Sequence, residues 1–307
     1  MTPRAGRPKA ILIAGPTASG KSAAALDLAA GLGGTVINAD SMQVYRELAI
    51  LTARPSPAEM QLAPHRLYGM VPTSEAHSVG RFLEDAKEAL AEAKAQGSVP
   101  IFVGGTGLYF KAHTEGLAAI PEIPPDIRMA WREKAEAIGT AGLYRELEAR
   151  DPVMAARLRP SDSQRIARAL EVIDATSMSL AEWQQGETAG PLLAPDAVLK
   201  LVVAPERQPL YAAIDTRFDR MVAQGVIEEV RALLALGLDP DLPAMRAHGV
   251  RELGGYLSGD SSLDAAIEKS KTESRRYAKR QMTWLRRFMQ DWEWFPDAGA
   301  AVTAAKP

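Results

Sequence analysis

Residues 10–22 admit very few folds. The apolar run Ala10 to Ala14 leads into Gly15-Pro16-Thr17-Ala18-Ser19-Gly20-Lys21-Ser22, two glycines followed by a lysine and a hydroxyl at the spacing of a phosphate-cradling loop. The glycines let the backbone curl so that several amide N–H groups point inward, and the helix that follows adds its positive dipole end at the same place. Lys21 can bridge phosphate oxygens as a point charge, and the Ser22 hydroxyl suits a magnesium ion that also touches the phosphates. A phosphate or diphosphate is the expected ligand of Gly15 to Ser22. Alone, the loop suggests ATP and does not say whether phosphate is transferred.

The chain beyond the loop delivers further strand ends to one edge of an α/β core with a parallel sheet. Ala23 to Leu32 reads as an alanine-rich helix stopped by glycines, and Thr35 to Ala39 as a short buried strand ending on Asp40-Ser41. Residues just past the carboxyl ends of parallel strands line the ligand crevice, so Asp40 is expected beside the phosphate loop; capping a turn is its alternative role. Ser78 caps a predicted helix from Val79 to Gln96, with Phe82, Leu83, Ala86, Leu90 and Ala93 on one stripe and Gly97 as its stop. Val99 to Val103 is the next buried strand and hands Gly104-Gly105-Thr106-Gly107 to the crevice. A later strand, Leu199 to Ala204, runs into Pro205. Neither strand ends on the aspartate that a nucleoside-triphosphate hydrolase uses for its magnesium shell. This disfavours an ATPase and favours an enzyme that uses the cradle for a diphosphate in another reaction.

Between Pro121 and Pro195 the character changes to helical patterns over Asp126 to Ile138, Leu143 to Arg150 and Ser161 to Ala175. The predicted organisation is a first part of the core over 1–120, an all-helical insertion over 121–197, and a second part of the core over 198–307. Arg157, Arg159, Arg165 and Arg168 gather near Ser161 to Gln164, as a solvated face or a binding surface. In the second part, the pattern Leu210, Ile214, Phe218, Met221 carries Arg217 beside its stripe. That arginine could reach the phosphates and stabilise charge on a leaving group, or pair with Asp215; position alone favours the pairing. The last long helix, about Ser262 to Trp292, carries Lys269, Lys271, Arg275, Arg276, Lys279, Arg280, Arg286 and Arg287, with Tyr277, Gln281, Trp284 and Phe288 on one face. The aromatic stripe reads as core packing and the cations as a seat for a nucleic-acid backbone. The alanine-rich tail after Asp297 reads as disordered.

Overall charge gives no such hint. The 36 Lys and Arg against 38 Asp and Glu leave a net charge of -2, so any nucleic acid has to be met by local patches. The absence of cysteine excludes disulfides and zinc-thiolate sites and suits a reducing cytosol, and the histidines at 65, 77, 113 and 248 are too scattered for a zinc site. No apolar run approaches the roughly 20 residues of a membrane helix, and the apolar start at Ala10 ends in the loop rather than at a cleavage site. A soluble, cytoplasmic, monomeric protein without a membrane partner is expected.

Taken together, GPTASGKS at Gly15 to Ser22, INADSMQVYR at Ile37 to Arg46, VGGTGLY at Val103 to Tyr109, SQRIARALEV at Ser163 to Val172 and RRYAKRQMTWLRR at Arg275 to Arg287 resemble the tRNA dimethylallyltransferase family, also called isopentenyl-tRNA transferases. They span nearly the whole chain in the family's order. The resemblance implies a P-loop NTPase-like core with a helical insertion that helps grip the anticodon stem-loop of tRNA. It also implies transfer of a dimethylallyl group from dimethylallyl diphosphate to N6 of the adenosine 3′ of the anticodon (position 37), with Mg2+. By the same resemblance Asp40 is the general base, Thr106 shares or orients that role, and Arg217 contacts the diphosphate. Asp40, Ser41, Met42 and Gln43, with Gln164, Arg165, Ile166, Ala167 and Arg168, are the tRNA-contacting stretches, and Arg275, Arg276, Lys279 and Arg280 supply phosphate contacts. Base extrusion into a pocket would bring the amine to the carboxylate.

The chain departs from the family at Glu47 to Pro55, where two glycines are lost and Arg54 replaces a lysine, and at His65-Arg66-Leu67, where many members have two histidines. The absent zinc-finger tail points to a bacterial type. Three rivals stand beside the main reading: a prenyltransferase acting on free adenine nucleotides, a P-loop small-molecule or nucleotide kinase, and a non-catalytic RNA-binding P-loop protein. A small acceptor requires neither an insertion nor a basic terminal helix, and a kinase is weakened by the missing strand-end aspartate.

Overall fold

The computed structural model describes residues 8–186, 188–194 and 198–306. Two compact units result, one from the two ends of the chain, 1–114 with 192–307, and one from Glu115–Pro191. Pro195, the expected closing marker of the insertion, lies outside the described residues.

The first half of the core unit runs β1 (Ala10–Ala14), α1 (Lys21–Leu32), β2 (Gly34–Asn38), α2 (Pro57–Leu62), β3 (His65–Arg66), α3 (Val79–Ala95), β4 (Val99–Gly104) and α4 (Gly107–Glu115). Ser78 caps α3 by accepting from Arg81 N–H. The helical unit holds the strand pair β5 (Leu117–Ala118) and β6 (Thr188–Ala189), with α5 (Pro125–Arg150), α6 (Pro152–Arg157), α7 (Ser163–Thr176) and α8 (Leu180–Trp183) between them. The two helices expected over 126–150 are one run that Gly139 interrupts with non-helical backbone. Trp131, Leu143, Leu147, Ile166, Ala169 and Leu170 form the unit's own core.

The chain returns with β7 (Val198–Val203), α9 (Arg207–Ala223), α10 (Val226–Ala235), α11 (Val250–Leu257), α12 (Leu263–Phe288), β8 (Glu293–Phe295) and α13 (Ala298–Ala305). The sheet order is β3-β2-β4-β1-β7-β8, and every paired neighbour is parallel. In register, Ile11 faces Ile101 and Leu199, and Ile13 faces Val103 and Leu201. Alternate strand residues supply both sides of the sheet. Leu12, Phe102 and Val202 pack with Phe82, Ala86 and Leu285 of α3 and α12, while Ile13, Val103 and Leu201 pack with Ala25 and Leu28 of α1. Burial on both faces is why these strands read as continuous apolar runs.

Two sequence expectations fail here. The tail after Asp297 is ordered: Asp297 caps α13, and Ala301, Val302 and Ala305 are buried against the α1 side of the sheet. Small side chains gave the tail a disordered composition, yet they are what lets two helices approach closely. The last long helix stops at Phe288 rather than Trp292, because the chain turns into β8 beside β7. Among the described residues no helix is long and apolar enough to cross a membrane.

Candidate active site

The parallel sheet brings the loop after β1, the turn after β2 and the turn after β4 to one edge. Gly20 enters α1 in the left-handed region, φ 87°, where a side chain would be strained. Ser19 N–H donates to Pro16 O at 3.2 Å and Lys21 Nζ donates to the same carbonyl at 3.1 Å, so the lysine folds back over the loop. Burial pushes the Lys21 ammonium down to about 8, with the Asp40 carboxylate opposing the shift and the Arg217 guanidinium adding to it. Ser19 Oγ is buried without a hydrogen-bond partner among the described residues. Two neighbouring cations whose pKa burial lowers, beside a glycine-rich loop, make a site that an anion would stabilise.

Thr17 is the hub of the loop. Its Oγ1 accepts from Arg217 Nη2 of α9, and its N–H donates to Gln281 Oε1 of α12 at 2.9 Å. Arg217 therefore does not pair with Asp215, as position alone suggested; Asp215 pairs with Arg275. Burial lowers the Arg217 pKa and Asp40 opposes the fall, which puts Lys21, Arg217 and Asp40 within one electrostatic neighbourhood.

Asp40 and Thr106 are brought together through Ser41. Thr106 Oγ1 accepts from Ser41 N–H at 2.9 Å and donates to Ser41 Oγ at 3.2 Å, and Thr106 N–H donates to Ala39 O at 3.4 Å. Asp40 Oδ1 accepts from Met42 N–H at 3.0 Å. Beneath it, Asn38 at the end of β2 accepts from Asp40 N–H at 2.8 Å and donates to Asp40 O at 2.9 Å and Leu67 O at 3.0 Å. These bonds fix the direction of the carboxylate and give Thr106 an orienting position.

A cleft with about 640 Å³ of empty space, open mouth included, joins Thr17, Asp40 and Arg217 to the apolar Ile214, Phe218 and Met221 of α9. A polar head with a short branched apolar tail matches that lining. His248 and Tyr277 also border it, with ring centroids 4.5 Å apart. Burial first, and Arg280 second, lower the His248 pKa, and burial raises that of Tyr277, so both are held neutral. Ser22 is exposed on the first turn of α1. Among the described residues no cluster of three or more His, Cys, Asp or Glu could hold a metal. A hydroxyl completed by phosphate oxygens and water is a donor set that magnesium accepts, so Ser22 fits the expected ion.

The expected RNA-contacting residues divide. Gln43 Nε2 donates to Thr52 O and Ala53 O, both at 2.9 Å, and holds the departing loop. The Glu229 carboxylate of α10 accepts from Ala49, Ile50 and Leu51 N–H, each at 2.8 Å, supporting that loop without the two glycines. In the helical unit, Gln164 and Arg165 are exposed, with Arg165 paired to Asp162 at 3.1 Å and Arg168 to Glu171 at 3.4 Å. The Ile166 side chain is 0% exposed and belongs to that unit's core, so it is corrected from an RNA contact to a packing residue; Ala167 packs against the same core. Lys279 and Arg280 are exposed on α12, as is Arg276, which pairs with Glu273 at 2.6 Å. Arg275 instead joins α12 to α9 through Asp215.

Asn38, Glu229 and Gln281 escaped the sequence reading. Asn38 carried a weak signal, a polar residue closing a buried strand two positions before Asp40, and Gln281 another, an amide inside an aromatic stripe.

Comparison with known proteins identifies the family. The family profile described as IPP transferase matches residues 43–288, and the one described as isopentenyl transferase matches residues 8–75. The chain is 54% identical over 286 residues to a tRNA dimethylallyltransferase of Bradyrhizobium sp. (strain BTAi1), covering 93% of each chain. It is 55% identical to one of Beijerinckia indica, covering 93% of this chain and 94% of that one. The crystal structure of the full-length tRNA isopentenylpyrophosphate transferase from Bacillus halodurans is similar with a TM-score of 0.66 at 36% identity, covering 95% of this chain and 90% of that one. A eukaryotic dimethylallyltransferase acting on tRNA gives a TM-score of 0.79 at 28% identity, over 94% of this chain and 73% of that one. A family profile over residues 43–288 and relatives more than half identical over nine-tenths of the chain leave one assignment: the chain belongs to the tRNA dimethylallyltransferase family.

Proposed function

We propose that this protein transfers a dimethylallyl group from dimethylallyl diphosphate to N6 of the adenosine 3′ of the tRNA anticodon, releasing diphosphate. The observation that carries the reading is the single cleft that joins a phosphate cradle, a fixed carboxylate and an apolar wall. The N6–C1 bond forms as the C1–O bond to the diphosphate breaks, the leaving oxygen takes the electron pair, and the amine proton passes to Asp40. Help of this kind from a general base is worth roughly 10²–10⁴ in rate. Thr106 keeps Asp40-Ser41 in place, while the loop amides, Lys21 and Arg217 stabilise the charge developing on the diphosphate. A magnesium ion held by Ser22 and the phosphates would add further charge neutralisation there. The apolar side chains of α9 shield the reacting carbon from water.

The anticodon stem-loop is the RNA element proposed for the exposed cations of α7 and α12, and the cysteine-free chain suits a reducing cytoplasm. Substituting Asp40→Asn tests the assignment. Prenyl transfer is expected to fall by about 10²-fold or more, with diphosphate and tRNA binding within a factor of two to three. Unchanged transfer would remove Asp40 from the reaction.

A further inference from the structure

A side-chain amide stands where α12 crosses both loops of the site. Gln281 is 6% exposed, and both ends of its amide are used: Oε1 accepts from Thr17 N–H at 2.9 Å, and Nε2 donates to Gly105 O at 2.9 Å. A backbone N–H can only donate and a carbonyl can only accept, so these two partners fix the orientation of the amide. A carboxylate of the same length offers acceptors alone, and asparagine is a methylene too short to span both. The turn between β4 and α4 is shaped to admit it. A side-chain carbon at Gly105 would overlap the Gln281 amide, and one at Gly107 would overlap the Trp284 indole, one turn further along α12. Those glycines therefore serve the docking of α12 and not a second phosphate loop.

Gln281 touches Thr17, whose hydroxyl in turn holds Arg217. We propose that Gln281 is a positioning residue for the diphosphate cradle: by tying Thr17 to the β4–α4 turn it sets the Thr17 edge of the loop and, through Thr17, the Arg217 guanidinium. This rests on the reading that the loop holds a diphosphate. Removing the amide frees Thr17, so the loss should fall on the diphosphate end of the reaction and spare RNA affinity.

The test compares the wild-type protein with Gln281→Met, Gln281→Asn, Lys21→Ala, Arg217→Gln and the Arg217→Gln/Gln281→Met double variant. Binding of inorganic diphosphate with magnesium is measured by calorimetry, and kcat and KM for each substrate by prenyl transfer. Gln281→Met is expected to raise the Kd for diphosphate and the KM for dimethylallyl diphosphate by roughly 10-fold or more, with KM for tRNA within twofold. In the double variant the two losses should combine to less than their product, because both act through Thr17. Should Gln281→Met fail to fold, Gln281→Asn carries the same expectation. If the wild type binds diphosphate, Lys21→Ala loses it and Gln281→Met behaves as wild type, the inference is overturned while the site reading stands. A rise confined to KM for tRNA, or strictly multiplicative losses in the double variant, overturns it as well. If Lys21→Ala binds diphosphate as tightly as wild type, the site reading itself fails and takes the inference with it.

Discussion

Arg217 and Lys21 occupy a position that neither would choose without an anion. Burial lowers the pKa of both, and the Asp40 carboxylate opposes the fall in each. A bound diphosphate supplies the missing counter-charge, and as a leaving group it needs most of it when the C1–O bond breaks. Arg217→Gln should therefore lower kcat by roughly 10²–10³ with tRNA affinity unchanged, as single-turnover transfer and filter binding would record; an equal loss in tRNA binding would place the arginine in the RNA interface instead. That Lys21 and Asp40 come to one neighbourhood was readable in the chain, because each sits in a short motif at the carboxyl end of a parallel strand. Arg217 was half-readable: its helix was evident, but position alone favoured an acid such as Asp215 as its partner, whereas its guanidinium donates to Thr17 and Asp215 pairs with Arg275. Gln281 was out of reach. Its partner Thr17 lies 264 residues away, and an amide on a stripe of aromatics has no local signature of a bridge.

At the level of elements, strands and most helices followed from periodicity, and the misses came where packing overrode composition. The segment 298–305 lacks large apolar side chains, and the neighbouring α1, β7 and β8 give its alanines something to bury against. The β8 strand is three residues long and exists because β7 offers it an edge. Helix α4 carries a different consequence of burial. His113 is 0% exposed, its ring 4.4 Å from that of Phe102 and 5.2 Å from that of Phe82, and neither nitrogen has a hydrogen-bond partner among the described residues. Burial pushes its pKa down to about 3. The folded protein thus holds it neutral, while the unfolded chain takes up a proton as pH falls below 6.5. Its stabilising effect is complete above pH 6.5 and is lost progressively toward pH 3. Between pH 6.5 and 5 this group alone should cost about 2 kcal/mol of stability. Urea unfolding of His113→Leu across that interval should show a correspondingly shallower decline, and an identical decline in both proteins would assign the pH dependence elsewhere.

For the molecule as a whole, a near-neutral chain that acts on RNA must concentrate its cations. Arg165 of α7 in the helical unit and Arg276, Lys279 and Arg280 of α12 in the core unit are exposed cations of that kind. The bracketing prolines and the switch to helical periodicity marked 121–197, whereas the compact helical unit is Glu115–Pro191. Which of its residues face outward was not, and Ile166 shows why: inside a motif, residue type alone does not separate a packing position from a contact. Replacing both Arg165 and Arg168 with glutamine should weaken tRNA binding without changing diphosphate affinity, and should reduce the salt dependence of binding by a slope of about two. An unaltered slope would mean that the α7 face does not meet phosphate. The proposed transfer is read out by one labelling experiment. Protein, magnesium and labelled dimethylallyl diphosphate are incubated with unmodified tRNA, and with AMP and ATP in parallel, and the labelled product is identified after nuclease digestion. Label on N6 of the adenosine 3′ of the anticodon, with none in the mononucleotides, is the expected result; label in the mononucleotides alone would contradict the account.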